Sequence, residues 1–323
     1  VTKEVFGQEA ESVSLAWRFE GADSPDHMLL QLVRGLLYNR QAGLIDINLN
    51  QAQQTLSARA WNWLYEDYSA FGLEGQPREG QSLEEVADLL MEQIEKLKQG
   101  EFEGWLIDAV VRDIKLSEIR ANESNNARVS AMTDAFILGL PWERYVNRFD
   151  EMRSYKKEDI MKFAEEHFQD NYVLVYKRNG EDPNVMKVEK PAITPVSLNR
   201  EDKSEFAQAF LSQESPELKP SFVDYEATIQ EDKIAGKVPF DYIENEANQL
   251  FELYYILEMG KKHNKKLPLA IQYLPFLGTN KYTAEELQQE FYKLGLSFNV
   301  SSNDDRAYVS LTGLPEAFKR GVV

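Results

Sequence analysis

Three histidines and no cysteine are the whole stock of imidazole and thiolate metal ligands in this 323-residue chain. His27, His167 and His263 stand too far apart in sequence to make a recognisable ligand set. The lack of cysteine removes thiol catalysis, cysteine–zinc sites and disulfides. One run has metal-like spacing: Phe163-Ala164-Glu165-Glu166-His167 differs from H-x-x-E-H only at its first position. Zinc held by that motif needs imidazoles at i and i+4, with the glutamate taking a proton from the bound water. Phe163 puts a benzene ring where a ligand must stand, so the run is a coincidence of spacing. There is no G-x-S-x-G elbow for a nucleophilic serine, no G-x-x-x-x-G-K-[ST] loop and no G-x-G-x-x-G turn. With 54 acidic residues, a pair of carboxylates carries no meaning from sequence alone. No catalytic, cofactor-binding or metal-ligating residue is assigned.

The balance of 54 acidic against 36 basic residues gives a formal net charge of −18. Such a surface repels phosphate and excludes nucleic acid as a natural partner. It suits attraction of basic peptides into an acidic chamber, and it suits solubility alone, the simpler reading. With 43% hydrophobic and 28% charged residues, the composition is that of a globular protein of about two domains. No apolar run is long enough to span a membrane. The chain starts without an initiator Met or the apolar core of a signal peptide, and Pro315–Val323 stops within what reads as a new helix. Both ends therefore read as cuts from a longer protein. The lack of cysteine does not decide the compartment, with a lean to the bacterial periplasm.

Val13, Leu15 and Trp17 alternate with polar residues, which predicts a strand over Val13–Phe19. Ser24-Pro25-Asp26 predicts a helix start with Ser24 as cap, running to about Tyr38. Gly43–Leu49 fits helix or strand. Thr55–Leu64 and Tyr68–Leu73 read as a hairpin turning at Glu66-Asp67, with Trp61, Trp63 and Tyr65 on one face. That stripe could grip peptide side chains, although a face covered by helices explains it more simply. Helices follow over Leu83–Leu97, capped by Ser82 and stopped at Gly100, then Phe102–Arg120, Asn125–Leu138, Trp142–Met152 and Lys156–Phe168. A strand over Tyr172–Tyr176 closes the set. The sum is an α+β fold, a two-layer, mostly antiparallel sheet with helices packed on one face.

From Asn179 to Ile229 the periodicity fades, and five of the chain's 12 prolines gather: Pro183, Pro191, Pro195, Pro216 and Pro220. The span reads as a connector with a short helix over Asn199–Leu211. Ile234–Ile243 and Gln249–Leu257 then read as two strands. Leu267–Leu311 reads as an apolar helix, a Gly278-Thr279 break, an amphipathic helix started by Thr283 and ended by Gly295, and two strands around Asn303–Arg306. Leu287, Phe291 and Leu294 share one face of the second helix. Leu269, Ile271, Leu274 and Phe276 give the first helix the look of a core element.

The order of that last stretch resembles the metal-binding segment of the insulinase/pitrilysin family of zinc peptidases, which includes the mitochondrial processing peptidases. Gly278-Thr279, Glu285, Leu294-Gly295, Phe298-Asn299 and Asp304-Asp305 fall where that pattern expects them. The resemblance puts H-x-x-E-H at Leu269–Tyr273, where Leu269, Gln272 and Tyr273 replace the two histidines and the glutamate. Leucine cannot ligate, glutamine cannot take the proton, and a neutral phenol is a poor zinc ligand. Residues 12–177 resemble the family's non-catalytic second domain by element order and length.

The resemblance implies a repeated metallopeptidase-like domain: residues 1–178 as a non-catalytic second domain, 179–229 as the connector between halves, and 230–323 as the first part of a third, motif-less domain. It further implies a parent zinc endopeptidase, with zinc in a preceding domain and no cofactor in this chain. The chain by itself would be inactive. Its partners would be the rest of the parent and an unfolded peptide substrate, bound as chamber wall and hinge. The alternative is a non-catalytic scaffold or partner subunit of a processing-peptidase-like complex.

Overall fold

The structure, a computed structural model, describes residues 1–182, 188–214, 216–248 and 250–322. Pro183, Gln249 and Val323, which figure in the sequence reading, lie outside the described residues. Two compact units are present: residues 1–182 with 245–323, and residues 183–244.

The first unit is built on a five-stranded sheet of order β1-β5-β2-β4-β3. Its strands are β1 (Thr2–Gly7), β2 (Ser12–Glu20), β3 (Ser57–Leu64), β4 (Tyr68–Gln76) and β5 (Val173–Asn179). All pairings are antiparallel except β1 with β5. Between the strands run α1 (His27–Leu37), a π-helical turn at Asp46–Gln51, α2 (Leu83–Lys98), α3 (Trp105–Ala121), α4 (Asn125–Ile137), α5 (Trp142–Ser154) and α6 (Lys157–His167). The α+β fold with helices on one face is as the alternation predicts.

The reason lies in the period of two. Val13, Leu15, Trp17 and Phe19 on β2, and Phe71 and Leu73 on β4, all turn inward and are buried. They meet Leu32 and Leu36 of α1, Val86, Leu90 and Ile94 of α2, and Ile160 and Phe163 of α6 in one cluster. Each such side chain contributes about 1.5–3 kcal/mol by leaving water. Phe168 sits at the hub, edge-on to Trp17 at 5.1 Å and to Phe71 at 5.2 Å. Helix α2 starts on a full capping box: Ser82 accepts from the Glu85 amide while the Glu85 carboxylate accepts from the Ser82 amide.

Three local readings change. The α1 cap is Asp26 rather than Ser24, whose hydroxyl instead accepts from the Asp26 amide at 3.2 Å. Gly43–Leu49, left open between helix and strand, is helical from Leu44 and passes into the π-helical turn, fixed by the Asp46 carboxylate, which accepts from the amides of Asn39 (2.8 Å) and Gly43 (3.1 Å). Strand β1 has no period-two signal of its own; it forms because β5 offers an open parallel edge.

Residues 245–323 carry β8 (Phe251–Leu257), α9 (Leu267–Tyr273), α10 (Ala284–Leu294), β9 (Leu296–Ser302), β10 (Ala307–Gly313) and a last turn, α11 (Phe318–Gly321). The second unit holds α7 (Glu205–Leu211), α8 (Tyr225–Thr228) and the antiparallel pair β6 (Gln230–Ile234) and β7 (Val238–Tyr242). The span read as one strand, Ile234–Ile243, thus bends at Ala235-Gly236, both with positive φ (52° and 70°). Strand β8 pairs with β10 in a three-stranded sheet of order β8-β10-β9.

Helix α10 binds the two parts of the first unit together. Thr283 and Glu286 make a capping box, and Gly295 ends the helix at φ 65°. Phe291 and Leu294 face the small cluster of Leu296, Leu311 and Ala317, as the spacing predicts. The next residue on the helix, Tyr292, is buried in the main core. Arg112 of α3 donates to the Lys293 carbonyl, and the Lys293 ammonium lies 4.7 Å above the Trp105 ring.

Candidate functional site

The residues named by the degenerate motif sit on α9. Leu269 and Tyr273 are 68% and 61% exposed, and Gln272 is exposed beside them. A leucine, an amide and a neutral phenol do not fit a zinc ion. The expectation that α9 is a core element is overturned: no residue of it is buried, and Leu274 and Phe276 beyond it are exposed as well. Strand β9 packs on α9 and leaves Leu267, Pro268 and Ile271 half-buried, with Leu269 exposed.

The histidines serve local structure. His27 is buried, donates from Nδ1 to the Ala22 carbonyl at 2.6 Å and receives the Gln31 amide at Nε2. Burial holds its pKa below the usual imidazole value. His167 stands 3.6 Å from the Asp26 carboxylate and tilts on Phe163 at 4.5 Å. Phe163 itself is buried against Phe19, so the near-motif at 163–167 is core packing. His263 accepts from the Gly260 amide at 3.2 Å. Among the described residues no group of three His, Cys, Asp or Glu side chains is arranged to hold a metal.

What the fold does present is an open edge. Strand β3 pairs only with β4 among the described residues. The Ala58 amide donates to Asn50 Oδ1 at 2.8 Å and the Ala58 carbonyl accepts from Asn50 Nδ2 at 2.9 Å, so both backbone groups of Ala58 point away from β4. In an antiparallel pair this alternates, so the N–H and C=O of Ala60 and Asn62 point the same way, toward no other strand. Asn50 caps one end of the edge and Ala60 is 3% exposed, so the accessible part of the edge begins at the half-buried Asn62.

Along that edge runs the aromatic stripe. Ala58 and Ala60 turn inward and are buried, which sends Trp61 and Trp63 to the opposite face. The reading that helices cover this stripe is therefore overturned: Trp63 is 57% exposed and Tyr65 48%. The indoles lie 4.6 Å apart, and Tyr65 meets Tyr68 at 5.5 Å, with the Arg18 guanidinium 5.0 Å above the Tyr68 ring. Gly72 on β4 makes room for Trp61. On the helix side a cleft of about 480 Å³ opens between Asn62, Trp63 and Tyr65 of the hairpin, Gln31 and Arg34 of α1, and Ile114 of α3. A second hollow of about 580 Å³ at the hairpin tip is lined by Glu20, Asp23, Glu66 and Asp67. Period-two patterning places the stripe on one face; the edge position of β3, which makes it accessible, depends on strand order and has no local signal.

Residues 1–113 match the family profile of the Peptidase M16 inactive domain. Among solved structures, a protease from Helicobacter pylori aligns with 55% of this chain and 44% of its own, at 19% identity and a TM-score of 0.51. The peptidase M16 inactive domain from Pseudomonas fluorescens aligns with 59% of this chain and 45% of its own, at 15% identity and 0.46. The periplasmic protease PqqL from Escherichia coli aligns with 99% of this chain and 39% of its own, at 11% identity and 0.43. This chain thus spans less than half the length of each. No protein of curated function matches the sequence. Residues 1–113 are thus similar to an M16 inactive domain, and the likeness to the Helicobacter pylori protease shows a shared fold. No helix among the described residues is long and apolar enough to cross a membrane.

Proposed function

We propose that this chain is the non-catalytic wall and hinge of a pitrilysin-like zinc endopeptidase, and that it binds extended peptides by adding them as a strand to the β3 edge. The observation that carries the reading is the unpartnered, half-buried backbone of Asn62 beside an exposed aromatic stripe on the same strand. Main-chain pairing to a free edge supplies affinity without regard to sequence, and aromatics beside it grip alternate side chains. The acidic hollow at the hairpin tip adds attraction for basic segments. Zinc and the general base belong, in this reading, to a preceding domain of the parent, residues 1–178 and 230–323 being peptidase-like domains joined by 179–229. A bacterial periplasm fits a chain without cysteine, which forms no stray disulfides there.

The test is binding of a labelled unfolded peptide to this chain, followed by anisotropy, against the same peptide N-methylated at alternate amides. Loss of binding on methylation is expected. Equal binding by both, or binding by neither, would remove the edge reading and leave the scaffold alternative. A parent that hydrolyses peptides and stops with a chelator supports the zinc assignment; activity indifferent to chelation refutes it.

A further inference from the structure

The cleft beside β3 holds two polar side chains with nothing to bond. Arg34, half-buried on α1, makes no hydrogen bond or ion pair among the described residues, and the Asn62 side chain makes none either. Both line the same hollow. A guanidinium drawn partly out of water without a partner gives up hydration for nothing in return, a cost that a bound carboxylate removes. Asp113, the acid on α3 whose field reaches Arg34, forms no ion pair with it among the described residues. Gln31 already spends its amide nitrogen on His27.

Strand geometry says which residue of a bound peptide meets this pair. A residue placed opposite Asn62 on an added strand turns its side chain to the same face as Asn62, into the cleft. Its two neighbours turn to the other face, beside Trp61 and Trp63. We propose that the cleft selects an acidic side chain, held by Arg34 and Asn62, on an extended peptide whose flanking residues are apolar or aromatic. This rests on the edge-binding reading above. The ligand class is an unfolded segment of apolar–acidic–apolar pattern, recognised by a chain that is itself strongly acidic because the one cation in the cleft is unpaired.

The experiment compares two short fluorescein-labelled peptides, threonine-flanked Val-Glu-Val and Val-Gln-Val, on the intact chain and on Arg34→Gln. The Glu peptide should bind at least about tenfold tighter than the Gln peptide, the preference shrinking at high salt. In Arg34→Gln the two peptides should bind alike, at the affinity the Gln peptide has for the unaltered chain. Circular dichroism checks that the variant is folded, and the two-peptide comparison on the unaltered chain needs no variant. Equal affinities there overturn the Arg34 proposal; if N-methylation still abolishes binding, the edge reading survives that failure. Binding of neither peptide overturns both. A preference for Glu that persists in Arg34→Gln moves the carboxylate to another site and overturns this one.

Discussion

The Trp61 indole lies across Gly72, its cross-strand partner, so closely that a methyl group on Gly72 would stand 2.2 Å from the ring's Cζ2. The missing side chain on β4 is the seat of the aromatic stripe on β3. Gly72→Ala should therefore push Trp61 off the sheet and break its 4.6 Å approach to Trp63. The ring is partly exposed and can give way, so a stability loss of about 1–2 kcal/mol is expected rather than unfolding. Tryptophan fluorescence should shift, and peptide binding at the edge should weaken. An unchanged spectrum would mean that the ring does not rest on Gly72.

Proline scanning tests the edge directly. The Asn62 amide points away from β4, so Asn62→Pro removes an edge donor while leaving the β3–β4 ladder intact. Trp61→Pro removes an amide that the ladder uses. Peptide affinity should fall about tenfold or more in the first, with the thermal midpoint little changed, whereas the second should destabilise the hairpin by about 3 kcal/mol. If Asn62→Pro binds peptide normally, the edge is not where peptides add.

Much of this fold was legible because its elements announce themselves locally. Ser82 with Glu85, Thr283 with Glu286, and Gly295 mark helix ends by chemistry confined to a few residues. Val13, Leu15 and Trp17 show their buried face by alternation. What escaped depends on neighbours distant in sequence. Nothing in Val1–Gly7 tells that β5 lies alongside, and nothing in Tyr292 tells that α3 and the π-helical turn surround it. The candidate site divides the same way: Trp61, Trp63 and Tyr65 could be placed on one face, but Arg34 entered the cleft only through the packing of α1 on β3.

Limited proteolysis should separate the two units. Phe206, Phe210 and Leu211 on α7 are 79%, 63% and 62% exposed, and no residue of that helix is buried. A seven-residue helix with no buried face opens readily. Chymotrypsin should make its first cuts within residues 188–244, ahead of any in α2 or α3, read by mass spectrometry of the early fragments. Early cleavage in 83–121 would show that the first unit is less cohesive than its packing implies.

Tyr292 makes the attachment of α10 measurable. Its ring is 3% exposed and its phenol oxygen has no hydrogen-bond partner among the described residues. Burial, then the charges of Asp113 and Asp46, raise its pKa far out of reach, so the phenol stays neutral. Tyr292→Phe removes a buried hydroxyl that gains nothing, and should be neutral or stabilising by about 1 kcal/mol. Tyr292→Ala empties the ring's place and should cost about 3–5 kcal/mol. Urea melts decide it; a Phe variant weaker by more than about 1 kcal/mol would mean that the hydroxyl is bonded in solution.

Asp46 gives the fold a pH dependence with a defined sign. Burial pushes its carboxyl up from 3.8 to about 6, against the amides of Asn39 and Gly43, which pull it down. The folded chain therefore holds this proton at pH values where the unfolded chain has lost it. The stabilisation from that proton is complete below pH 3.8, declines as pH rises, and is gone above about pH 6. Asp46→Asn keeps an oxygen acceptor for both amides but cannot titrate. The difference in unfolding free energy between the original chain and Asp46→Asn should thus move by about 1.4 kcal/mol in favour of Asp46 on going from pH 7.5 to pH 5. Taking the difference cancels the other acids of a chain with net charge −18, which both proteins share. Urea denaturation at the two pH values measures it. A difference that stays constant, or moves the other way, would show that Asp46 is ionised and well solvated in the folded chain, and that the loop from Asn39 to Gly43 is held by something other than its buried carboxyl.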